Sequence, residues 1–314
     1  MGSIIQSALH PAGIQAARIS SLWWLMFWTS VAVYVAVLAA VAFAITRGRR
    51  TGHAVPLERS TTRSVSLATA LSIVVLVTLL FASVGTGRAV GSLPTDNALG
   101  VEVTGYQWWW SVQYDNPVPA LRVTTANELH LPVGRPIVIT LRAFDVIHSF
   151  WVPSLHGKVD LVPGRQNKMA LQIDKPGVYR GQCAEYCGLQ HAHMAFSIIA
   201  ESSDAFEQWL AAQRTEAPKP STPEQTRGLD VVERGPCAMC HTIRGTFAGA
   251  RFGPDLTHVA TRSTIGAGTV SNTPEHLAAW IRNPQHLKPG TRMPPLGLSQ
   301  EEVQSVTAYL QTLR

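Results

Sequence analysis

Between Arg18 and Arg47 the chain runs 28 residues without a charged side chain, and between Arg63 and Arg88 a further 24. A helix needs about 20 apolar residues to cross the hydrocarbon core of a bilayer. Neither run shows the polar face of a helix packed on a soluble core, so both are predicted to be transmembrane helices. Trp23, Trp24 and Trp28 lie near one end of the first run and read as an interfacial belt; packing against a partner subunit is the other reading. The loop between the spans carries Arg47, Arg49, Arg50, Arg59 and Arg63. Basic residues gather on the cytoplasmic side, which puts both chain ends, and everything after about Gly91, outside. The same loop explains why a net charge of +6 is no nucleic-acid footprint. No cleavable leader is expected: the first eighteen residues are polar, and the apolar run is too long for a signal core, with no small-residue cleavage site after it. The expected order is an outer segment over 1–20 and a hairpin over 21–90, with its cytoplasmic loop at about 47–63.

All four cysteines fall in the exported part as two close pairs, each followed by a histidine. Unligated thiols there would be open to oxidation. The first pair lies in 181–194, where Cys183, Cys187, His191 and Met194 follow the spacing C-x3-C-x3-H-x2-M. Two thiols, an imidazole and a thioether are soft ligands that suit copper; a Cys183–Cys187 disulfide beside an incidental His and Met is the plainer alternative. Short strand-like runs at 101–104, 108–114, 137–142, 168–173, 178–179 and 195–199, broken by Pro and Gly, predict a Greek-key sandwich or barrel over 91–212. Cupredoxin-like folds hold copper in the loop before the last strand, with one more His from an earlier loop. His148, in a hydrophobic setting 35 residues before Cys183, is the candidate, with His156 and His193 as rivals.

From 101 to about 209 the chain resembles the copper-A domain of subunit II of the haem-copper cytochrome c oxidases, and the two helices are similar to that subunit's membrane hairpin. The likeness rests on His148-Ser149, Val152-Pro153-Ser154-Leu155, Lys158, Asp160, Pro163-Gly164-Arg165 and the whole of 181–194. It implies a binuclear copper centre in which Cys183 and Cys187 bridge both metals and His148 and His191 each bind one. Met194 would be a weak axial ligand, and the backbone carbonyl of Glu185 would complete the set. The Glu185 side chain would face the catalytic subunit, where the family has a magnesium or manganese ion. Gly105-Tyr106-Gln107-Trp108-Trp109-Trp110 is similar to the family's aromatic box, which implies Trp108 as the electron entry. Bridging thiolates spread one electron over two ions, so little changes at either on reduction, and the axial ligand and hydrogen bonds to sulfur tune the potential. One departure is Glu58. The family often has a glutamate shortly before a Trp-Thr-x-x-Pro run, and that run is missing here, so Glu58 reads as a solvated loop carboxylate rather than a proton entry.

Residues 203–210 read as a capped helix, and 213–225, with Pro218, Pro220 and Pro223, as a semi-rigid linker. Beyond it Cys237-Ala238-Met239-Cys240-His241 is the C-x-x-C-H signature of covalent haem c, with His241 as the proximal ligand. No βαβ pattern surrounds it to support a thioredoxin-like motif. Met293 is the only methionine downstream and the candidate distal ligand; His258, His276 and His286 are the bis-imidazole alternatives. Gly253-Pro254-Asp255-Leu256 resembles the class I cytochrome c loop whose proline carbonyl orients the proximal histidine. Ser299 with Glu302 forms a capping box before an apolar stripe at Val303, Val306 and Leu310. Residues 226–314 thus resemble a small all-α mono-haem cytochrome c.

The expected whole is multidomain: a membrane hairpin, an all-β copper-A domain and a class I cytochrome c domain. The resemblance implies the electron-entry subunit of a caa3-type oxidase in a bacterial inner membrane, with both cofactor domains on the periplasmic or extracellular side. Its partners would be subunit I and other oxidase subunits, and its donor a cytochrome c or a cytochrome bc complex. Oxygen reduction and proton pumping would lie elsewhere, since neither span holds an ionisable residue. Two alternatives stay open: the equivalent subunit of a copper-A nitric oxide reductase, and a membrane-anchored copper-delivery protein, which would need neither Met194 nor a fused haem domain.

Overall fold

The computed structural model describes residues 5–51, 58–93 and 95–314, with the side chains of 50–51 and 58–60 also outside the description; the Glu58 side chain is among these. The chain divides into a unit formed by 17–93 and a second formed by the remainder.

The first unit is helical. Helix α1 spans Ile14–Thr51 and α2 spans Glu58–Gly91. Their apolar windows are not buried at all within the protein, and Leu67 and Phe81 are each 72% exposed. Apolar surface on this scale suits lipid, not water. The hydroxyls agree with that solvent. Thr29, Ser30, Ser72 and Thr78 each donate to the carbonyl four residues back, on Leu25, Met26, Ala68 and Val74, which satisfies these hydroxyls within their own helices.

In the second unit the pattern becomes two-residue alternation. The strands are β1 (Leu99–Tyr106), β2 (Trp109–Tyr114), β3 (Val123–Ala126), β4 (Glu128–Pro132), β5 (Ile137–Ala143), β6 (His148–Trp151), β7 (Val159–Leu161), β8 (Asn167–Leu171), β9 (Gly177–Cys183) and β10 (Ala195–Glu201). They form two five-stranded sheets, β3-β2-β1-β5-β8 and β4-β10-β9-β6-β7. Strand β1 is parallel to β5 and β10 to β4, and the other pairs are antiparallel. Every second residue of β1 is buried, as a half-covered sheet requires. Between the sheets Phe150 stacks on Phe196 at 4.5 Å, and Trp110 meets Phe196 edge-on at 5.1 Å. Gly181 is needed here, because a Cβ on it would sit 2.1 Å from the Phe196 ring. The segment before α1 is stitched to the sandwich: Ile5 N–H donates to Val178 O at 2.8 Å and Ala12 N–H to Ser154 O at 2.8 Å. Helix α3 (Ser203–Ala212), capped by Ser202, covers one end with Phe206 and Leu210.

The C-terminal part is helical apart from a two-stranded hairpin, β11 (Thr264–Ile265) with β12 (Val270–Ser271). Helix α4 (Pro223–Arg234) starts at a capping box of Thr222 and Gln225, so it takes in the last residues of the expected linker. Helices α5 (Pro274–Arg282), α6 (Pro284–Leu287) and α7 (Gln300–Leu310) follow, α7 with the Ser299/Glu302 box. At the α4–α7 crossing Gly228 lets the backbones touch: a Cβ there would lie 2.0 Å from Ser305 O. Part of the linker is held down, with Ala217 N–H donating to Arg244 O at 3.0 Å and Arg244 Nη2 to Gln213 O.

Candidate metal centres

Strand β6 opens with His148 and β9 closes with Cys183, so the pairing of the two strands sets an imidazole beside a thiol. The loop from 184 to 194 is then tied at both ends. Cys183 N–H donates to Met194 O at 2.9 Å and Ala184 N–H to Ser149 O at 3.0 Å. Within it Cys183 Sγ lies 3.7 Å from Cys187 Sγ, 3.8 Å from His148 Nδ1 and 3.2 Å from the carbonyl oxygen of Glu185. Cys187 Sγ lies 3.6 Å from His191 Nδ1 and 3.8 Å from Met194 Sδ. His148, Cys183, Cys187 and Met194 are buried. All six expected copper ligands therefore converge on one pair of sulfurs. The sulfurs form no disulfide.

The charges explain why this cluster wants cations. The Cys187 thiol, donating to Cys183, and then the His148 ring hold Cys183 well below the usual thiol range, while the resulting thiolate pushes Cys187 up. Two thiolates this close repel unless metal ions neutralise both. Burial pulls His148 down, but its bond to Asp145 and the neighbouring Cys183 outweigh it and lift it. His148 Nε2 lies 3.0 Å from Asp145 Oδ1. A carboxylate only accepts, so Nε2–H is the donor to Asp145, and Nδ1, which faces the sulfurs, is the nitrogen that would bind a metal once its own proton is displaced, a common device behind metal-binding histidines. The donor set thus fits copper. Asp145 did not emerge from the sequence reading; its one signal was a position three residues before His148.

The remaining expected residues divide. Trp108 lies in the turn before β2, and its Nε1–H donates to Cys187 O at 3.0 Å, beside Gln107 Nε2 at 2.8 Å. The Glu185 carboxylate, 43% exposed, pairs with Lys158 at 3.4 Å. His193 turns to Gln190 Oε1 at 2.7 Å, and His156 to Gly157 O at 2.9 Å.

The second site is built on the turn Pro236–Met239, where Cys240 and His241 both donate N–H to Cys237 O. His241 Nδ1–H donates to Pro254 O at 2.7 Å, which leaves Nε2 for a metal. Burial lowers the ring's basicity, so it is neutral, the form that binds iron. Gly253 is packed on this ring, with a would-be Cβ only 2.6 Å away. Two thiols on one turn and an oriented neutral imidazole fit covalent haem. The Met293 carbonyl accepts from Gln285 Nε2 at 2.9 Å, and Thr291 O from the same nitrogen at 2.6 Å, which fixes the backbone of that loop. His258 presents Nδ1 to Arg314 O at 2.9 Å and Nε2 to Thr215 O at 3.2 Å, and His276 presents Nδ1 to Ser271 O at 3.0 Å.

The two sites belong to one packed body. Lys288, 1% exposed, donates Nζ to Trp108 O at 2.9 Å, His193 O at 2.7 Å and Gly266 O at 2.6 Å. Ser263 N–H and Oγ–H donate to the buried Glu128 at 2.7 and 2.5 Å, and Gln190 Nε2 to Pro289 O at 2.8 Å. Arg292 reaches Asp145 at 3.1 Å and Gln107 at 3.0 Å.

Residues 118–202 match the family model of the cytochrome c oxidase subunit II periplasmic domain, and 225–314 match that of cytochrome c. Cytochrome c oxidase subunit 2 of Alkalihalophilus pseudofirmus is 40% identical over 238 residues, which are 76% of this chain and 66% of that protein. The subunit 2 of Bacillus sp. PS3 is 31% identical, with 69% of this chain and 63% of that protein aligned. That of Bacillus subtilis is 29% identical, over 70% and 63%. The chain thus spans just under two thirds of these relatives' lengths.

Proposed function

Because the chain belongs to the cytochrome c oxidase subunit II family and carries a cytochrome c domain behind the family's copper domain, we propose that it is the electron-entry subunit of a membrane terminal oxidase. It would take electrons from a cytochrome c or a cytochrome bc complex at haem c and pass them through binuclear copper to a catalytic subunit that reduces oxygen. The single observation that carries this reading is the convergence of His148, Cys183, Glu185, Cys187, His191 and Met194 beneath a haem-type domain bonded to the same face. When bound, the haem and the copper pair supply one-electron carriage with little rearrangement.

The chain's own residues do the rest. Cys237 and Cys240 anchor the haem, and His241, aimed by Pro254, and Met293 would hold its iron. His148 is aimed by Asp145, and the buried loop keeps water from the sulfurs. Trp108, bonded to the Cys187 carbonyl and touched by Lys288, stands between the two sites as the entry. The Glu185 carboxylate, on the surface beside Lys158, is placed to meet a magnesium or manganese ion shared with subunit I. The two apolar helices anchor the chain with the arginine-rich loop in the cytoplasm and both cofactor domains on the periplasmic or extracellular side of a bacterial cell membrane.

Purification of the intact complex tests this. The expected result is a co-purifying twelve-helix haem protein, two coppers per chain with the near-infrared band of a mixed-valence pair, and oxygen consumption. NO consumption without oxygen consumption would replace the oxidase reading by the reductase one. One copper per chain and no such band would point to copper delivery instead.

A further inference from the structure

Lys288, Pro289, Gly290 and Arg292 lie in one short stretch that closes over the copper site, and the next residue is Met293. Two kinds of grip are found along it. Lys288 is wholly buried with three carbonyl partners, and Gln190 holds Pro289 from the side. Arg292 is different. Its side chain is 55% exposed, and an ion pair that open to water contributes little to holding domains together. Its partners are more telling than its strength.

Arg292 Nη2 contacts Asp145 Oδ2 at 3.1 Å and Gln107 Oε1 at 3.0 Å. Asp145 Oδ2 also accepts the Gln107 backbone N–H at 2.8 Å. Its other oxygen, Oδ1, takes the His148 ring at 3.0 Å and the Val146 N–H at 2.8 Å. Gln107 in turn donates Nε2 to the Cys187 carbonyl at 2.8 Å. One guanidinium of the haem-side loop is therefore a single residue removed from two copper ligands, His148 through Asp145 and Cys187 through Gln107.

The geometry points to Arg292 as a positioning residue by which the haem domain tunes the copper centre. The reading rests on the copper assignment above. The physical reason is charge. With Arg292 in place part of the Asp145 charge is offset, and the carboxylate draws less on the His148 N–H. Without it, the full negative charge makes the imidazole a stronger donor, which favours the oxidised copper pair. A haem domain that docks correctly thus raises the electron affinity of the acceptor next to it. A domain lifted off its seat releases it.

The test uses the full chain in its complex, loaded with both cofactors, and reads the copper midpoint potential by redox titration. Two coppers per chain and the near-infrared band in the unaltered protein secure the copper reading separately from the role of Arg292. In Arg292→Gln the copper midpoint should fall. The haem-to-copper electron equilibrium should move toward the haem by up to about fivefold, the most that an ion pair this exposed commonly contributes. The haem midpoint and its methionine-ligand band should not change. Arg292→Lys should recover most of the shift, since the charge remains. In an Asp145→Asn background the shift from Arg292→Gln should largely vanish, as a double-mutant cycle reports for groups acting through each other. If Asn at 145 releases copper, Asp145→Glu replaces it and should retain the shift. An unchanged copper midpoint in Arg292→Gln, an equal shift in the Asn background, a lost shift in the Glu background or a parallel move of the haem midpoint would each overturn the proposal.

Discussion

At the residue scale the candidate ligands are the visible part and their partners the hidden part. Cys183, Cys187, His191 and Met194 stand in one short run, and Cys237, Cys240 and His241 in another, so soft-ligand chemistry could be read before any folding. Asp145 could not, because a carboxylate bonded to a ligand looks in sequence like any other carboxylate. Lys288 and Arg292 were invisible for the same reason: their meaning comes from Trp108 and Asp145, which lie 180 and 147 residues away in the chain. Gly253 makes a prediction at this scale. In Gly253→Ala the new methyl would press on His241 and break its bond to Pro254. The haem should stay attached through Cys237 and Cys240, while its midpoint potential rises, because an imidazole that no longer donates to a carbonyl is a weaker ligand to the iron, as optical redox titration would report. An unaltered titration would show that the ring tolerates the contact.

Elements were legible where their pattern was strong. The two helices of the hairpin follow from charge-free length, and β1, β5 and β10 from alternation. Strands β3, β4, β6 and β7 were missed because three to five residues are too few to show a period, and β6 is buried on both faces at its first three positions. Trp108 was counted into a strand and sits just before one. The linker looked free in sequence, yet 213–217 is bonded to Arg244 and His258, contacts that no composition announces. The α4–α7 crossing carries the sharpest stability prediction. Gly228→Ala forces a methyl against Ser305 O and should cost about 1–3 kcal/mol, as overpacking does. Calorimetry should register a cytochrome transition lower by roughly 4–8 °C per kcal/mol for a domain of this size. A shift confined to the copper domain would contradict the assignment. Gly181→Ala offers the converse case, since its methyl meets Phe196 between the sheets, and the copper domain's transition should be the one that falls.

For the whole molecule the question is how firmly two cofactor domains stay together. Glu128, Lys288 and Gln190 supply buried or half-buried polar contacts across the junction, and buried polar contacts are costly to break singly. Burial pulls Lys288 down to about 7, with the nearby Cys187 acting weakly the other way. The sign follows from that direction. Separated domains hold the lysine protonated up to its ordinary value of 10.5, so they bind more protons than the docked form above about pH 7. Docking should therefore strengthen as pH rises from about 7 toward 10.5 and be flat below. Protease accessibility of the 218–221 segment in full-length protein would follow it, and Lys288→Met should remove the dependence. Increasing cleavage across that range would refute it.

The seat itself has one more implication. Trp108 is 8% exposed and lies against Gly290 of its own chain. A tethered occupant of a surface is present there at about millimolar effective concentration. A diffusing protein at micromolar level and of equal affinity would lose that competition by about a thousandfold, so under the proposed electron path a diffusing donor would deliver to the haem and not to Trp108.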